Sequence, residues 1–110
     1  MISFEEFWLK LTENLKTVGT YETLTHGNKF SAVALDDRRL KIIRESNPKE
    51  PKILYQSDFK RIWNVMKKTP LDYRYSNGTQ NGHVRYNDGN SSVILSLINS
   101  IVGNQEISKK

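Results

Sequence analysis

Cysteine is absent from this 110-residue chain. Its absence excludes disulfides, thiolate metal sites and a cysteine nucleophile, so nothing in the sequence requires an oxidising compartment. No apolar run is long enough to cross a membrane, and the N-terminus, Met-Ile-Ser-Phe-Glu-Glu, carries acid where a signal peptide carries base. We therefore expect a cytoplasmic protein that does not contact membranes.

The sequence also lacks the residue patterns that bind metals and cofactors. Its two histidines, His26 and His83, lie in turn-like segments and have no metal-binding spacing. The Asp36-Asp37 pair and the acidic turn at 87–90 do not have the oxygen-ligand spacing of a calcium loop. No glycine is followed by the Gly-Lys-Ser/Thr of a phosphate loop. We expect neither a metal site nor a cofactor.

Catalytic motifs are missing as well. No serine lies in a Gly-x-Ser-x-Gly elbow, which excludes that form of acyl transfer. The tripeptide Glu50-Pro51-Lys52 matches the Glu-x-Lys of metal-dependent nucleases, but the prolines at 48 and 51 favour a loop in place of the strand that such chemistry uses. We expect a protein that is not an enzyme.

Positive charge is concentrated in the middle of the chain. Residues 1–37 carry three lysines and six acids, whereas residues 38–85 carry twelve Lys or Arg and four acids, a balance of +8. Residues 86–110 are neutral, which leaves a formal net charge of +5. Clustered positive charge attracts phosphate and acidic surfaces.

Three helices are predicted from apolar residues that recur every three or four positions. The first covers 4–18, with Ser3 and Glu6 as a capping box and Gly19 as its stop. The second covers 58–68, capped by Ser57 and ended by Thr69-Pro70. The third begins at Asn90 or Ser91 and ends before Gly103.

Short β-branched and aromatic runs at 20–25, 29–35 and 39–44 predict a three-stranded antiparallel meander. Residues 45–51 are predicted to be a loop, and 71–75 an edge strand that pairs with 83–86 as a loose hairpin around a loop at 76–82. The expected fold class is α+β: N-terminal helix, meander, second helix, short hairpin or edge strands, and C-terminal helix. Residues 1–103 are expected to form a single domain, and 104–110 a disordered tail.

The basic residues lead to the hypothesis that this chain is a non-catalytic domain that binds nucleic acid through a basic strand and a basic helix face. If the two surfaces adjoin, phosphates would contact them together. Tyr73, Tyr75 and Tyr86 alternate with cations in the way single-strand contacts often do. The alternative is a regulatory module that docks an acidic protein surface. The predicted contact residues are Arg38, Arg39, Lys41, Arg44, Lys60, Arg61, Lys67, Lys68, Arg74 and Arg85.

Overall fold

A computed structural model describes residues 1–24, 26–75 and 90–109. Three helices and a four-stranded antiparallel sheet form the α+β fold that the sequence predicts. In chain order the elements are helix α1 (Phe4–Asn14), strands β1 (Gly19–Glu22), β2 (Lys29–Ala34), β3 (Arg39–Arg44) and β4 (Lys52–Tyr55), helix α2 (Gln56–Met66), a 3₁₀ turn (Leu71–Tyr73) and helix α3 (Ser91–Val102).

The strands pair in the order β1-β2-β3-β4, so each strand neighbours the next along the chain. Side chains alternate between the two faces of a strand, and in β3 Leu40 and Ile42 are buried while Lys41 and Ile43 are only half-buried. Phe30 and Ala32 of β2 are buried on the same face as Leu40 and Ile42. One face of the sheet therefore forms part of the core.

The helices supply the rest of that core. Helix α1 buries Phe7 and Leu11, and helix α2 buries Phe59, Ile62 and Trp63, all completely. Aromatic rings join the two helices: Phe7 and Trp63 stack with their centroids 5.1 Å apart. No helix in the described residues is long and apolar enough to cross a membrane.

Helix α1 is shorter than predicted. Its start agrees with the sequence, since the Glu6 amide donates to Ser3 Oγ at 3.1 Å, but it ends at Asn14 and Gly19 opens strand β1. A Cβ at position 19 would lie 2.8 Å from the ring of Tyr21. Gly19 therefore lets the Tyr21 ring approach the backbone closely, and it does not end the helix.

The segment 52–55 is a fourth strand that the prediction missed. Leu54 of β4 lies opposite Leu40 of β3 and is buried, which extends the core face by one strand. Helix α2 follows without a loop and begins at Gln56, two residues earlier than predicted. Tyr55, and not Ser57, is the N-cap residue, and its amide donates to the Asp58 carboxylate at 2.9 Å.

Residues 71–75 were predicted as an edge strand, and this prediction is wrong. Leu71–Tyr73 form a 3₁₀ turn, in which the Tyr73 amide donates to Pro70 O at 2.9 Å. Pro70 fixes the backbone at the start of this turn, which favours a tight turn over an extended strand. The proposed partner strand at 83–86 and the loop at 76–82 lie outside the described residues.

The C-terminal segment also differs from the prediction of a disordered tail. Ile107 is buried, with 4% of its surface exposed, and pairs in parallel with Ile2. Backbone hydrogen bonds run from Ile2 N to Glu106 O and from Ser108 N to Ile2 O. The buried Ile107 side chain and these two hydrogen bonds hold the C-terminal segment against the N-terminal one.

Candidate binding interface

The sheet has an outer face, which we define as the outward-pointing residues of its four strands. These residues alternate with the buried ones that contact the helices, and several carry apolar or cationic side chains. Ile53 and Tyr55 are 39% and 51% exposed, so no described element covers them. The outer face consists of Thr20, Glu22, Lys29, Ser31, Val33, Arg39, Lys41, Ile43, Ile53 and Tyr55.

Arg39 and Tyr55 lie directly opposite each other on β3 and β4. The Gln56 amide donates to Arg38 O at 2.8 Å, which makes this a non-hydrogen-bonded pair. Pairs of that kind bring Cα atoms to about 4.5 Å, so the two side chains leave the sheet close together. A guanidinium and an exposed phenol ring thus share one corner of the outer face.

Lys41 lies near the centre of the outer face. Val33 of β2 and Ile53 of β4 are its direct neighbours across the sheet. Within the described residues Lys41 forms no ion pair. Its ammonium is therefore available to an external anion, and its methylene groups lie between two branched aliphatic side chains.

Charge on the outer face is unevenly distributed. Glu22 and Lys29 lie opposite each other at one edge and offset one another. The outward positions of β2, β3 and β4 contain no acid. Asp36 of the adjoining turn pairs with Arg39, and Lys41 has no acidic partner among the described residues, so the half of the face formed by β3 and β4 keeps a positive balance.

Asp36, in the turn between β2 and β3, holds one side of Arg39. Its Oδ2 accepts from Arg39 Nε at 2.9 Å, and its Oδ1 accepts from the Arg38 amide at 2.9 Å. These hydrogen bonds, the one from the Arg38 amide most of all, lower the pKa of the Asp36 carboxyl. The contact orients the guanidinium and leaves its terminal N–H groups without a partner in the described residues.

The other two predicted strand contacts lie away from the centre of this face. Arg38 is exposed in the turn beside Arg39. Arg44 is half-buried at the far end of β3, opposite Phe30, and on the helix-facing side of the strand. Because side chains alternate along β3, Arg44 lies on the opposite face of the sheet from Arg39 and Lys41.

The predicted basic face of α2 does not join the outer face. The sheet separates Lys41 from α2, because α2 packs on the buried side through Phe59 and Trp63. Lys60 points toward α1, where its Nζ lies 3.8 Å from Glu5 Oε1 and 4.7 Å from the centre of the Phe4 ring. Arg61 pairs with Asp58 at 3.4 Å in its own helix. Lys67 and Lys68 lie at the C-terminal end of α2.

Arg74, one of the predicted contact residues, is buried in the structure. It is only 6% exposed, and its Nη1 donates to Gly103 O at 3.2 Å and to Gln105 O at 2.6 Å. Its neighbour Tyr75 donates to Gly103 O at 2.5 Å, and burial raises the pKa of this phenol. Arg74 therefore anchors the chain after α3. Arg85 and Tyr86 lie outside the described residues.

The sequence prediction missed Tyr55 as a surface residue. The signal was present in the short run Lys-Ile-Leu-Tyr, in which Leu54 is the only buried residue. Four residues between Pro51 and a helix start were too few for the alternation to be recognised. Among the described residues no three His, Asp or Glu side chains come together as a metal site.

Comparison with known proteins gives no relative. No protein-family model, curated protein or solved structure matches this chain.

Proposed function

We propose that this protein is a non-catalytic nucleic-acid-binding domain whose interface is the outer face of the sheet. The observation that carries the proposal is the group formed by Arg39, Lys41 and Tyr55 on a sheet face that no described element covers. Cations beside an exposed aromatic ring are the combination that contacts phosphates and bases together. No acid on β2, β3 or β4 points toward this group.

The proposed interface is smaller than the one predicted from sequence. It retains Arg39 and Lys41, with Arg38 beside them in the turn, and omits the cations of α2, because α2 packs on the opposite side of the sheet. Contacts with two or three phosphates give moderate affinity that weakens with salt, by about 0.7 log unit of affinity per log unit of salt for each phosphate on a single strand.

A protein partner is the second candidate, and one observation favours it. Val33, Ile43 and Ile53 place branched aliphatic side chains on the same face as the cations. Exposed apolar surface with charged neighbours also marks protein interfaces. An acidic partner with an apolar contact patch would fit this face, and the experiment below separates it from nucleic acid.

The test is fluorescence anisotropy with labelled DNA and RNA oligonucleotides over a salt series. Lys41→Glu, Lys68→Glu and Lys10→Glu each change the net charge by the same amount, at the outer face, the α2 end and the outside of α1. Lys10 and Lys68 are exposed and form no ion pair within the described chain. We expect Lys41→Glu to weaken binding most and to reduce the salt slope, while its thermal midpoint shows that it is folded.

Two results would change the proposal. Weaker binding by Lys68→Glu than by Lys41→Glu would move the interface to α2. No binding of the wild-type protein at low salt would reject nucleic acid. An acidic protein that copurifies after nuclease treatment, and is lost in Lys41→Glu, would then establish the second candidate.

A further inference from the structure

We infer that the outer face binds a single strand, with one base stacked on the ring of Tyr55 and the adjoining phosphates held by Arg39 and Lys41. The inference rests on the proposed function and specifies its ligand. Charge complementarity supports nucleic acid here, since the β3–β4 half of the face is positive and nucleic-acid backbones are uniformly negative. The shape of the face favours a single strand over a duplex, and the fixed backbone of Tyr55 favours the stacking of an unpaired base on its ring.

The shape of the face disfavours a duplex. Four strands have three spacings of about 4.8 Å, so their backbones alone span about 14 Å. The major groove of B-DNA is about 12 Å wide and admits a helix or a two-stranded ribbon. A four-stranded face is too broad to enter it, and in a duplex the flat faces of the bases are already stacked on each other. Only an unpaired base can lie flat on Tyr55.

Tyr55 is held in place for such a contact. Its amide donates to Asp58 Oδ2 at 2.9 Å, and the next amide, that of Gln56, donates to Arg38 O at 2.8 Å. The backbone is thus fixed to both α2 and β3, while the side chain is 51% exposed. With the backbone fixed, only the two side-chain torsions of the tyrosine have to be ordered when a base stacks on the ring, which keeps the entropy cost of the contact low.

The neighbours of Tyr55 complete the contact. Arg39, directly opposite, provides a guanidinium beside the ring, and Ile53, two residues earlier on the same face, provides an aliphatic wall. Lys41 lies opposite Ile53 and continues the positive line along β3. A single-stranded nucleic acid that crosses β4 and then β3 would therefore contact the Tyr55 ring first and then the two cations, Arg39 and Lys41.

The experiment compares a labelled 12-nucleotide single strand of mixed sequence with its duplex, as DNA and as RNA, using Tyr55→Ala, Tyr55→Phe and Leu9→Ala. Leu9 is 59% exposed on α1 and serves as the control for loss of an exposed large side chain. Stacking contributes about 1–3 kcal/mol per base, so Tyr55→Ala should weaken single-strand binding about 5- to 150-fold. Tyr55→Phe and Leu9→Ala should bind as the wild type does, because phenylalanine retains the aromatic face.

The outcomes separate this inference from the proposed function. Preference for the single strand, lost in Tyr55→Ala and retained in Tyr55→Phe, supports both. Equal binding of single strand and duplex, unaffected by Tyr55→Ala but weakened by Lys41→Glu, overturns the stacking inference and leaves the proposed function intact. No binding of either probe rejects both.

Discussion

Ile2 and Ile107 pair side by side in a parallel bridge that joins the two ends of the described chain. The Ile2 amide donates to Glu106 O at 2.9 Å, and the Ser108 amide donates to Ile2 O at 2.8 Å. Both isoleucine side chains are buried, with 2% and 4% of their surfaces exposed. The segment after α3 thus contributes to the core.

This pairing predicts a stability cost for a change in the C-terminal segment. Ile107→Ala should lower the free energy of unfolding by about 2–5 kcal/mol, because it removes a buried side chain and leaves a cavity. Lys109→Ala, two residues away and exposed, is the control and should leave stability unchanged. Urea denaturation measures both, and equal midpoints for the two variants would show that the segment is not anchored.

The buried Arg74 predicts a second stability effect. Arg74→Met keeps the apolar stem but removes the hydrogen bonds to Gly103 O and Gln105 O, and should cost about 1.5–3 kcal/mol. Tyr75→Phe removes one neutral hydrogen bond to Gly103 O and should cost less, about 0.5–1.5 kcal/mol. Hydrogen exchange of the Ser108 amide should quicken in Arg74→Met. Unchanged exchange and stability would contradict the anchoring role.

Trp63 carries the packing between α1 and α2. It is completely buried, and its ring stacks on that of Phe7. The Trp63 and Phe4 rings pack edge to face, with their centroids 5.6 Å apart. Trp63→Ala should cost about 3–5 kcal/mol, measured by thermal or urea denaturation. Leu9→Ala, on the exposed side of α1, should change little. A Trp63→Ala protein with the wild-type midpoint would contradict the inward orientation of this helix face.

Asp36 predicts a dependence of stability on pH. Its folded pKa is lowered by the Arg38 amide and the Arg39 guanidinium, so its stabilising contribution is present above the unfolded pKa, near 3.9, and is lost as the pH falls through the folded pKa. In Asp36→Asn the stability should no longer include this pH-dependent contribution in the acid range. Carbon-detected NMR titration should give an Asp36 pKa below its ordinary value that moves upward in Arg39→Gln. A titration at the ordinary value in the wild type would contradict this turn geometry.

Local sequence signals predicted most of the secondary structure. Ser3 and Glu6 marked the start of α1, the alternation in 39–44 gave β3 its two faces, and Gly103, with a φ of 56°, ends α3 as expected. These features depend on residues a few positions apart. Each helix and three of the four strands carried such a signal, which is why the α+β fold class could be predicted correctly.

The errors at Ile107 and Arg74 came from contacts between residues far apart in the chain. Ile107 looks unanchored until Ile2 is beside it, and Arg74 looks exposed until Gly103 and Gln105 are beside it. The sequence also did not show whether the basic strand and the basic helix face adjoin, since that depends on the side of the sheet on which α2 packs. Sequence alone identified the cations but did not show which of them share a surface.

An amide NMR titration of the protein with a short single-stranded oligonucleotide at low salt tests directly whether the outer face is the interface. We predict that the largest shift changes fall on Arg39, Lys41, Ile53 and Tyr55 of the outer face, and that Lys67 and Lys68, which directly follow α2, change little. Shift changes confined to α2, or none at all under conditions where the protein is folded, would contradict an interface on the outer face of the sheet.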